Sequence, residues 1–182
     1  MYIRLQDLAI RKLNFREEYA PGKIDLGADV RQIAPLKTSG RAEVLHEHHG
    51  GKEMISDIRL VGEFSTRLEL NCARCLDPVT HEVAAQFDLL YRPLGSDRRA
   101  DEVSITESET EIGYFEGDGM MLEDVLREQV LLAMPLKSVC SESCKGMCPH
   151  CGRNLNQGEC DCEPVLKDPR WDALNEIKKR LK

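Results

Sequence analysis

Residues 58–91, which read IRLVGEFSTRLELNCARCLDPVTHEVAAQFDLLY, decide the fold. Two runs of alternating apolar and polar residues flank a short segment that contains two cysteines. One face of the first run carries Ile58, Leu60, Phe64, Leu68 and Leu70, and one face of the second carries His81, Val83, Ala85, Phe87, Leu89 and Tyr91. Such alternation is typical of antiparallel strands with one face on a core and the other in water. The stretch therefore predicts a long β-hairpin with Cys72 and Cys75 at its tip.

The pattern extends toward the N-terminus. Leu36 to Val44 alternate in the same way and predict another strand, followed by a polar turn at residues 46–51, which includes three histidines. Gly62 lies on the apolar face of its run and indicates a bulge or bend. Near the start, apolar residues at helical spacing predict a short amphipathic helix that ends before Pro21-Gly22, although an extended segment also fits; they are Leu5, Leu8, Ala9 and Leu13.

Beyond the hairpin the sequence changes character. Residues 96–119 are acidic and rich in Ser and Thr, which is typical of a mobile insert, although residues 111–116 can form one short strand. A helix follows, with Asp118 as the predicted N-cap and Pro135 at its end. Its apolar stripe consists of Leu122, Val125, Leu126, Gln129, Val130 and Ala133.

The C-terminal stretch predicts a last helix. Asp168 followed by Pro169 is a cap with proline at the first helical position. Trp171, the only tryptophan, is expected to pack this helix onto the sheet rather than to stack on a base. The sequence thus predicts an α+β fold with an antiparallel sheet, a long β-hairpin and two or three helices. Residues 1–136 form the α+β domain, and residues 137–182 form a cysteine-rich, zinc-bound segment with the last helix.

The net charge and its distribution along the chain indicate which class of partner the protein can bind. The net charge is −7, and a uniformly acidic protein binds naked nucleic acid poorly. However, residues 97–128 contain 11 of the 32 acids and only 3 of the 25 bases. The rest of the chain is near neutral and has room for a basic face.

The N-terminal sequence does not resemble a targeting signal. Residues 1–7 carry charges where a signal peptide has an apolar run, and the uncharged run 130–136 is far too short to cross a membrane. We therefore expect a cytoplasmic protein that has no membrane or small-molecule partner. In that compartment thiols stay reduced, so clustered cysteines indicate metal or redox chemistry rather than disulfides.

The eight cysteines have metal-ligand spacing. Cys148, Cys151, Cys160 and Cys162 lie within 15 residues and can close one tetrahedral site. Cys140 and Cys144 are then available to join Cys72 and Cys75 in a second site, which would tie the hairpin tip to the segment after the helix. A clamp between distant segments stabilises most, because it closes a large loop. Two zinc ions are therefore expected, with one zinc ion as the alternative.

The sequence also allows other ligand sets and other roles for the cysteines. His150 can replace one thiolate, and four-cysteine sets also hold iron–sulfur clusters, although this spacing matches no familiar ferredoxin run. A redox pair prefers a helix N-terminus after a strand, and Cys72 and Cys75 lie between antiparallel strands instead. No His-x-Glu precedes Cys148-Pro149-His150-Cys151, as zinc deaminases require, and no phosphate-binding glycine motif is present. We therefore expect a protein that is not an enzyme.

Several segments together resemble the YceD family, the large ribosomal RNA subunit accumulation proteins, in its cysteine-rich bacterial branch. Cys72-Ala73-Arg74-Cys75-Leu76-Asp77-Pro78 is similar to the family's C-x-R-C signature, and the helix ending at Pro135 is similar to its acidic-to-apolar helix. Residues 144–156 and Asp168-Pro169-Arg170-Trp171 also fit, so the resemblance runs from about Gly40 onward. It implies a role in accumulation or processing of the 23S rRNA of the large ribosomal subunit. It also implies a gene next to one for a small protein of the large ribosomal subunit, and no catalytic residue.

The expected function follows from both arguments. We interpret the chain as a ribosome biogenesis factor that binds large-subunit rRNA or its precursor, a ribosomal protein, or both. Arg74, Lys145 and Arg153 lie within the cysteine clusters and are candidate phosphate contacts, although Arg74 can instead brace the thiolates. The alternatives are a protein–protein adaptor without RNA contact, which the acidic stretch favours, and a thiol-redox protein.

Overall fold

The fold is built around the predicted hairpin. The computed structural model describes residues 1–49, 53–96 and 112–162. Along these residues the elements are β1 (Tyr2–Arg4), α1 (Leu5–Ile10), β2 (Leu13–Tyr19), β3 (Val30–Gln32), β4 (Leu36–His49), β5 (Glu53–Asn71), β6 (Pro78–Pro93), β7 (Ile112–Phe115), β8 (Gly119–Met121) and α2 (Leu122–Ala133). The alternating runs thus fold as the strands β4, β5 and β6, of 14, 19 and 16 residues.

Six strands form the main sheet, in the order β2-β4-β5-β6-β7, with β3 also paired to β5. Every pair is antiparallel except β6 and β7, which run parallel. The α+β class and the long hairpin are confirmed, and the predicted antiparallel sheet is mostly antiparallel, with one parallel pair at this edge. A separate two-stranded ribbon pairs β1 with β8.

One face of the sheet carries the core. The inward side chains have the alternation seen in the sequence, and they include Phe15, Tyr19, Leu36, Ala42, Ile58, Leu60, Phe64, Leu68, Val83, Phe87 and Tyr91. Helix α2 lies against β6 and buries Leu122, Val125, Leu126 and Val130, as its stripe predicts. Burial of a side chain of this size contributes about 1.5–3 kcal/mol. The core therefore fixes the hairpin on one side and leaves its tip to be organised separately.

A row of four residues crosses the sheet at Gly62. Phe15 on β2 pairs with Gly40 on β4, which pairs with Gly62 on β5, which pairs with Phe87 on β6. The two glycines lie beneath the two rings: an added Cβ would lie 2.6 Å from Phe15 at Gly40 and 2.8 Å from Phe87 at Gly62. The register continues unbroken through Gly62, so the predicted bulge is wrong. The missing side chain leaves room for the aromatic ring of Phe87.

A buried ion pair joins the far ends of β5 and β6. Asp57 and Arg92 are 0% and 1% exposed. The Nη2 of Arg92 donates to Oδ2 of Asp57 at 2.8 Å, and its Nε donates to Oδ1 at 3.1 Å. This two-point geometry is the strong form of a charged hydrogen bond, and it fixes the relative position of the two strands.

Two strand and helix boundaries differ from those predicted. Strand β4 continues through His49, so the predicted polar turn at 46–51 is largely strand, and its reversal lies outside the described residues. His46 pairs across the strands with Ser56, its Nδ1 lying 3.0 Å from Oγ. The first helix is confirmed over Leu5–Ile10, but the backbone becomes extended at Arg11. The predicted helical position of Leu13 is therefore wrong, because Leu13 begins strand β2.

The region before α2 is more ordered than its composition predicts. The short strand predicted at 111–116 is confirmed as β7, and β8 follows without having been predicted. Asp118 is not the N-cap of α2, a position that Met121 occupies; its carboxylate instead accepts from the Tyr2 hydroxyl at 2.7 Å. The rest of the acidic insert and the predicted helix from Asp168 lie outside the described residues. None of the described helices is long and apolar enough to cross a bilayer.

Candidate metal centres

The hairpin tip forms a tight loop around its two cysteines. Because β5 ends at Asn71 and β6 begins at Pro78, residues 72–77 must reverse the chain, and we call them the first knuckle. The N–H of Leu76 donates to the carbonyl of Cys72 at 3.0 Å, and the N–H of Cys72 donates to the carbonyl of Asp77 at 2.8 Å. Leu76 adopts a φ of 63°, the only positive value at a non-glycine residue in the described chain. This turn directs both thiols to the same side.

The segment after α2 returns to this knuckle. The N–H of Ala73 donates to the carbonyl of Ser138 at 2.8 Å, and the hydroxyl of Ser138 lies 2.8 Å from Nε2 of His81 on β6. The N–H of Cys140 then donates to Sγ of Cys72 at 3.4 Å. These bonds place Cys140 and Cys144 opposite the hairpin thiols.

Four thiols meet there and form what we call the first tetrad: Cys72, Cys75, Cys140 and Cys144. The four sulfurs lie within 4.8 Å of one another, with Cys72 to Cys144 at 3.9 Å and Cys75 to Cys140 at 3.6 Å. Four sulfurs bound tetrahedrally at about 2.3 Å lie about 3.8 Å apart, so the spacing fits one ion. A set this small could hold a single metal ion, and it is too small for a multi-iron cluster.

A second tetrad has the same design. It consists of Cys148, Cys151, Cys160 and Cys162, again with sulfurs within 4.8 Å of one another. In its knuckle, residues 148–153, the N–H of Gly152 donates to the carbonyl of Cys148 at 2.9 Å, and Gly152 has a φ of 72°. Leu76 and Gly152 thus occupy equivalent left-handed positions, one residue after each C-x-x-C pair. The partition of the eight thiols is the one that their spacing predicts, and either tetrad could hold a metal ion.

The thiols of the first tetrad differ in pKa, which is lowered at two of them and raised at the other two. The backbone N–H of Cys75, followed by that of Arg74, lowers the pKa of Cys72 to about 6. The side-chain amide of Asn156 lowers the pKa of Cys144. The neighbouring sulfur of Cys144 raises the pKa of Cys140, and burial with the adjacent thiols raises that of Cys75 against a favourable N–H from Asp77. Four thiolates at this distance repel one another, so a bound cation is what would let all four ionise.

The second tetrad repeats this division. The backbone N–H of Cys151, followed by that of His150, lowers the pKa of Cys148 to about 6. The thiol of Cys151 and burial raise the pKa of Cys162 to about 12. The pKa of Cys160 is raised as well, since the Cys148 sulfur and burial outweigh the N–H of Cys162. His150 is exposed and lies outside the tetrad, which has four sulfur donors without it.

The three predicted basic residues lie on the outside of these centres, and all are exposed. Arg74 braces the tip, but through carbonyl groups rather than thiolates: its Nη1 donates to the carbonyls of Glu142 at 2.9 Å and Cys144 at 3.0 Å. Arg153 does the same in the second centre, donating from Nη1 to the carbonyl of Glu159 at 2.9 Å. Both guanidinium groups are therefore held in fixed positions beside the tetrads.

Two asparagines that the sequence analysis did not single out connect the centres. Asn154 donates from Nδ2 to Oδ2 of Asp77 in the first knuckle at 2.7 Å. Asn156 donates from Nδ2 to Sγ of Cys144 at 3.2 Å, and its Oδ1 accepts from the N–H of Lys145 at 2.8 Å. Asn154 and Asn156 flank Leu155 after the second cysteine pair, but nothing in that spacing shows which distant atoms they reach.

Comparison with known proteins gives one family. The profile described as "Large ribosomal RNA subunit accumulation protein YceD" matches residues 60–178, which contain the hairpin tip and both tetrads. A "Large ribosomal RNA subunit accumulation protein YCED homolog 1, chloroplastic" of Arabidopsis thaliana is 25% identical over 68% of this chain and 45% of its own length. The protein YlbN of Bacillus subtilis is 25% identical over 85% of this chain and 81% of its own length.

A Mycobacterium tuberculosis protein is 36% identical over 58% of this chain and 48% of its own length. The chain thus spans about half the length of the Arabidopsis and mycobacterial relatives. No solved structure matches the chain.

Proposed function

The chain belongs to the YceD family of large ribosomal RNA subunit accumulation proteins, and from this premise we propose that it is a non-enzymatic factor in ribosome biogenesis. It would promote the accumulation or processing of 23S rRNA in the bacterial cytoplasm. The match over residues 60–178 carries this proposal, because it spans the hairpin tip and both tetrads rather than one short motif.

We propose Zn²⁺ as the metal, with one ion in each tetrad. Four cysteine sulfurs and no other donor are the ligand set of a structural zinc site, and such a closed set has no open position for a reacting molecule. Metal analysis of the purified protein should give two zinc ions per chain. Iron in place of zinc, or no metal at all, would contradict this assignment.

The metal-stapled tip would present positive charge to RNA. Arg74 and Arg153 are exposed and held beside the tetrads by bonds from Nη1, and Lys145 lies between them in sequence. A guanidinium has five N–H donors, so bonds through one nitrogen do not use them up. Phosphate contacts from these residues would position the protein on RNA without reading its sequence.

The test is ultraviolet crosslinking of the protein to RNA in its own cells, followed by sequencing of the attached RNA. A triple variant, Arg74→Gln, Lys145→Gln and Arg153→Gln, removes three charges, while glutamine retains an N–H donor for the carbonyls. The matched control changes three exposed bases on the outer face of β2 and β4: Arg16→Gln, Lys37→Gln and Arg41→Gln.

We expect enriched large-subunit RNA in the wild type and the control, and a strong decrease in the tip variant. The salt dependence of RNA binding should also become shallower, by about 0.7 in the logarithmic slope for each phosphate of single-stranded RNA that the variant no longer neutralises. Equal decreases in both triple variants, or none in either, would show that the tip does not bind phosphates.

A protein–protein adaptor without direct RNA contact is the second candidate. The observation that favours it is the acidic sequence between residues 97 and 128, which is complementary to the basic surfaces of ribosomal proteins. An adaptor would co-purify with large-subunit precursors, keep its protein partners after nuclease digestion, and crosslink to no RNA.

A further inference from the structure

One turn, residues 154–157, follows the second knuckle in the chain and contacts the first tetrad. Asn156 in this turn donates from Nδ2 to Sγ of Cys144 at 3.2 Å, and its Oδ1 accepts from the N–H of Lys145 at 2.8 Å. The turn follows the second cysteine pair in the chain, yet its amide contacts a sulfur of the first tetrad. Asn156 therefore forms part of the surroundings of a centre to which it contributes no ligand.

A second bond runs in the same direction. Asn154 donates from Nδ2 to Oδ2 of Asp77 at 2.7 Å. The same carboxylate oxygen lies 3.4 Å from Sγ of Cys75, and the carbonyl of Asp77 accepts from the N–H of Cys72 at 2.8 Å. The turn thus holds a residue that itself touches both hairpin cysteines.

The position of this turn depends on the second knuckle. The N–H of Cys148 donates to the carbonyl of Arg153 at 2.8 Å, immediately before the turn. Within the turn, the N–H of Asn156 bonds to Oδ1 of Asn154 at 3.0 Å. Residues 148–162 contain no helix or strand. Besides its tetrad, the segment is held by the N–H of Leu155, which donates to the carbonyl of Gly146 at 2.8 Å, and by a bridge between Asn154 and Met147. Short segments of this kind generally fold only when their metal is bound.

We propose that Asn156 and Asn154 are positioning residues of the first metal centre and that they couple the two centres, so that metal in the second tetrad strengthens binding in the first. Filling the second tetrad orders the turn, and the ordered turn supplies the N–H···S bond to Cys144 and the support to Asp77. Because coupling between two sites is reciprocal, metal in the first tetrad strengthens binding in the second by the same factor. The proposal rests on the proposed function only in taking the tetrads as metal centres.

The size of the effect follows from known metal sites. Removal of a residue that orients a ligand typically lowers metal affinity 10–100-fold. Removing the second centre should therefore weaken zinc binding at the first by about 10-fold or more, although every ligand of the first centre remains.

The first experiment is a zinc titration of the full chain against a chromophoric chelator, with Co²⁺ absorption as a second readout of tetrahedral sulfur ligation. A variant with Cys160→Ser and Cys162→Ser retains only the first tetrad, and a variant with Cys72→Ser and Cys75→Ser retains only the second. We expect each remaining centre to bind zinc more weakly than in the wild type, by the same factor. Circular dichroism of the sheet verifies that each variant is folded.

Substitutions at Asn156 test the route of the coupling. Asn156→Ala removes both side-chain bonds, whereas Asn156→Asp keeps the Oδ1 acceptor but puts a carboxylate oxygen against the Cys144 sulfur. We expect weaker zinc binding at the first centre in both, and a larger decrease for Asn156→Asp. Gln157→Ala is the matched control, because Gln157 is exposed in the same turn and bonds to Asn154 through its backbone N–H.

A double-mutant cycle tests whether the coupling between the two centres runs through Asn156. If Asn156 carries the coupling, Asn156→Ala should cost little further affinity at the first centre once Cys160 and Cys162 are serine. Two centres that load independently, or an Asn156→Ala variant with wild-type affinity, would overturn the inference and leave the zinc assignment standing. A wild-type chain that takes up no zinc would overturn both. Absence of RNA crosslinking would refute the proposed function without affecting the coupling.

Discussion

The residue that follows each C-x-x-C pair determines the backbone conformation of its knuckle. Leu76 and Gly152 both have positive φ, of 63° and 72°, and both donate to the carbonyl of the first cysteine of their pair. Glycine adopts this conformation freely, whereas for other L-residues it costs about 1–2 kcal/mol. Leu76 is 59% exposed, so packing offsets little of that cost. The sequence shows the glycine turn at residue 152, but nothing in leucine itself indicates the same turn at residue 76.

Exchanging the two residue types should have opposite effects. Gly152→Ala should destabilise the second knuckle by about 1 kcal/mol. An added Cβ has space there, with its nearest neighbour at 3.9 Å, so the cost would come from the backbone alone. Leu76→Gly should be neutral or slightly stabilising for the first knuckle. Chelator competition on the two variants measures this, and a large decrease of metal affinity in Leu76→Gly would mean that the leucine side chain has a role of its own.

The close packing at the centre of the sheet depends on two glycines without side chains as well as on the apolar side chains buried there. Gly40 and Gly62 lie side by side and leave room for Phe15 and Phe87. The alternation of the sequence predicts which face these positions occupy, and it predicts the strands themselves. It does not show that the rings come from neighbouring strands, because cross-strand partners are fixed by register and not by local pattern.

A methyl group at Gly40 should therefore disturb three strands at once. Its Cβ would lie 2.4 Å from the carbonyl oxygen of Val61 and 2.6 Å from the Phe15 ring. We expect Gly40→Ala to lower the free energy of unfolding by about 1–3 kcal/mol, the usual cost of overpacking. Ser65→Ala, at an exposed position on β5, is the control and should change it by less than about 0.5 kcal/mol. Urea denaturation distinguishes the two, and equal stabilities would show that the sheet relaxes around the added group.

The ion pair near the start of β5 should be more sensitive to substitution than Gly40. Asp57→Asn removes the carboxylate from a guanidinium that is 1% exposed, and breaking such a pair typically costs about 3–5 kcal/mol. Replacing both residues, Asp57→Leu with Arg92→Met, should recover part of this stability, because neither charge of this pair is then left buried without the other. Thermal unfolding of the single and double variants measures the difference. A double variant that is less stable than Asp57→Asn would contradict this expectation. It would show that the ion pair stabilises the fold by more than the mutual compensation of two buried charges.

Two separate buried clusters lie in the part of the chain that the structure describes. The large one lies between the sheet and α2, and the small one consists of Cys72, Cys75 and Cys144 with Val79 and Val139 packed against it. Local periodicity predicts the first cluster, and cysteine spacing predicts which thiols meet at the second. The pairing of β1 with β8 was not predictable, because three-residue strands are too short to show alternation and their partners lie more than 100 positions apart. The bonds of Asn154 and Asn156 also became apparent only from the fold, because they depend on how the two knuckles are placed against each other.

Metal removal should separate the two clusters. Because the large core contains none of the eight cysteines, a chelator should leave the strand signal in circular dichroism while loosening residues 138–162. We expect faster hydrogen exchange and proteolysis in that segment and in residues 72–77. Addition of zinc should reverse both changes. Disappearance of the strand signal on chelation would instead show that metal maintains the entire fold.

The distance in sequence between the halves of the first tetrad also matters during synthesis. Cys72 precedes Cys144 by 72 residues, so at about 5–20 residues per second roughly 4–14 s separate their translation. The cysteines of the second tetrad lie within 15 residues and follow one another in roughly 1–3 s. A nascent chain therefore carries an incomplete site at its hairpin tip while the intervening residues are made. The first tetrad can close only after Cys144 has been translated. A closed first tetrad therefore distinguishes a chain synthesised at least through Cys144 from one whose synthesis stalled earlier.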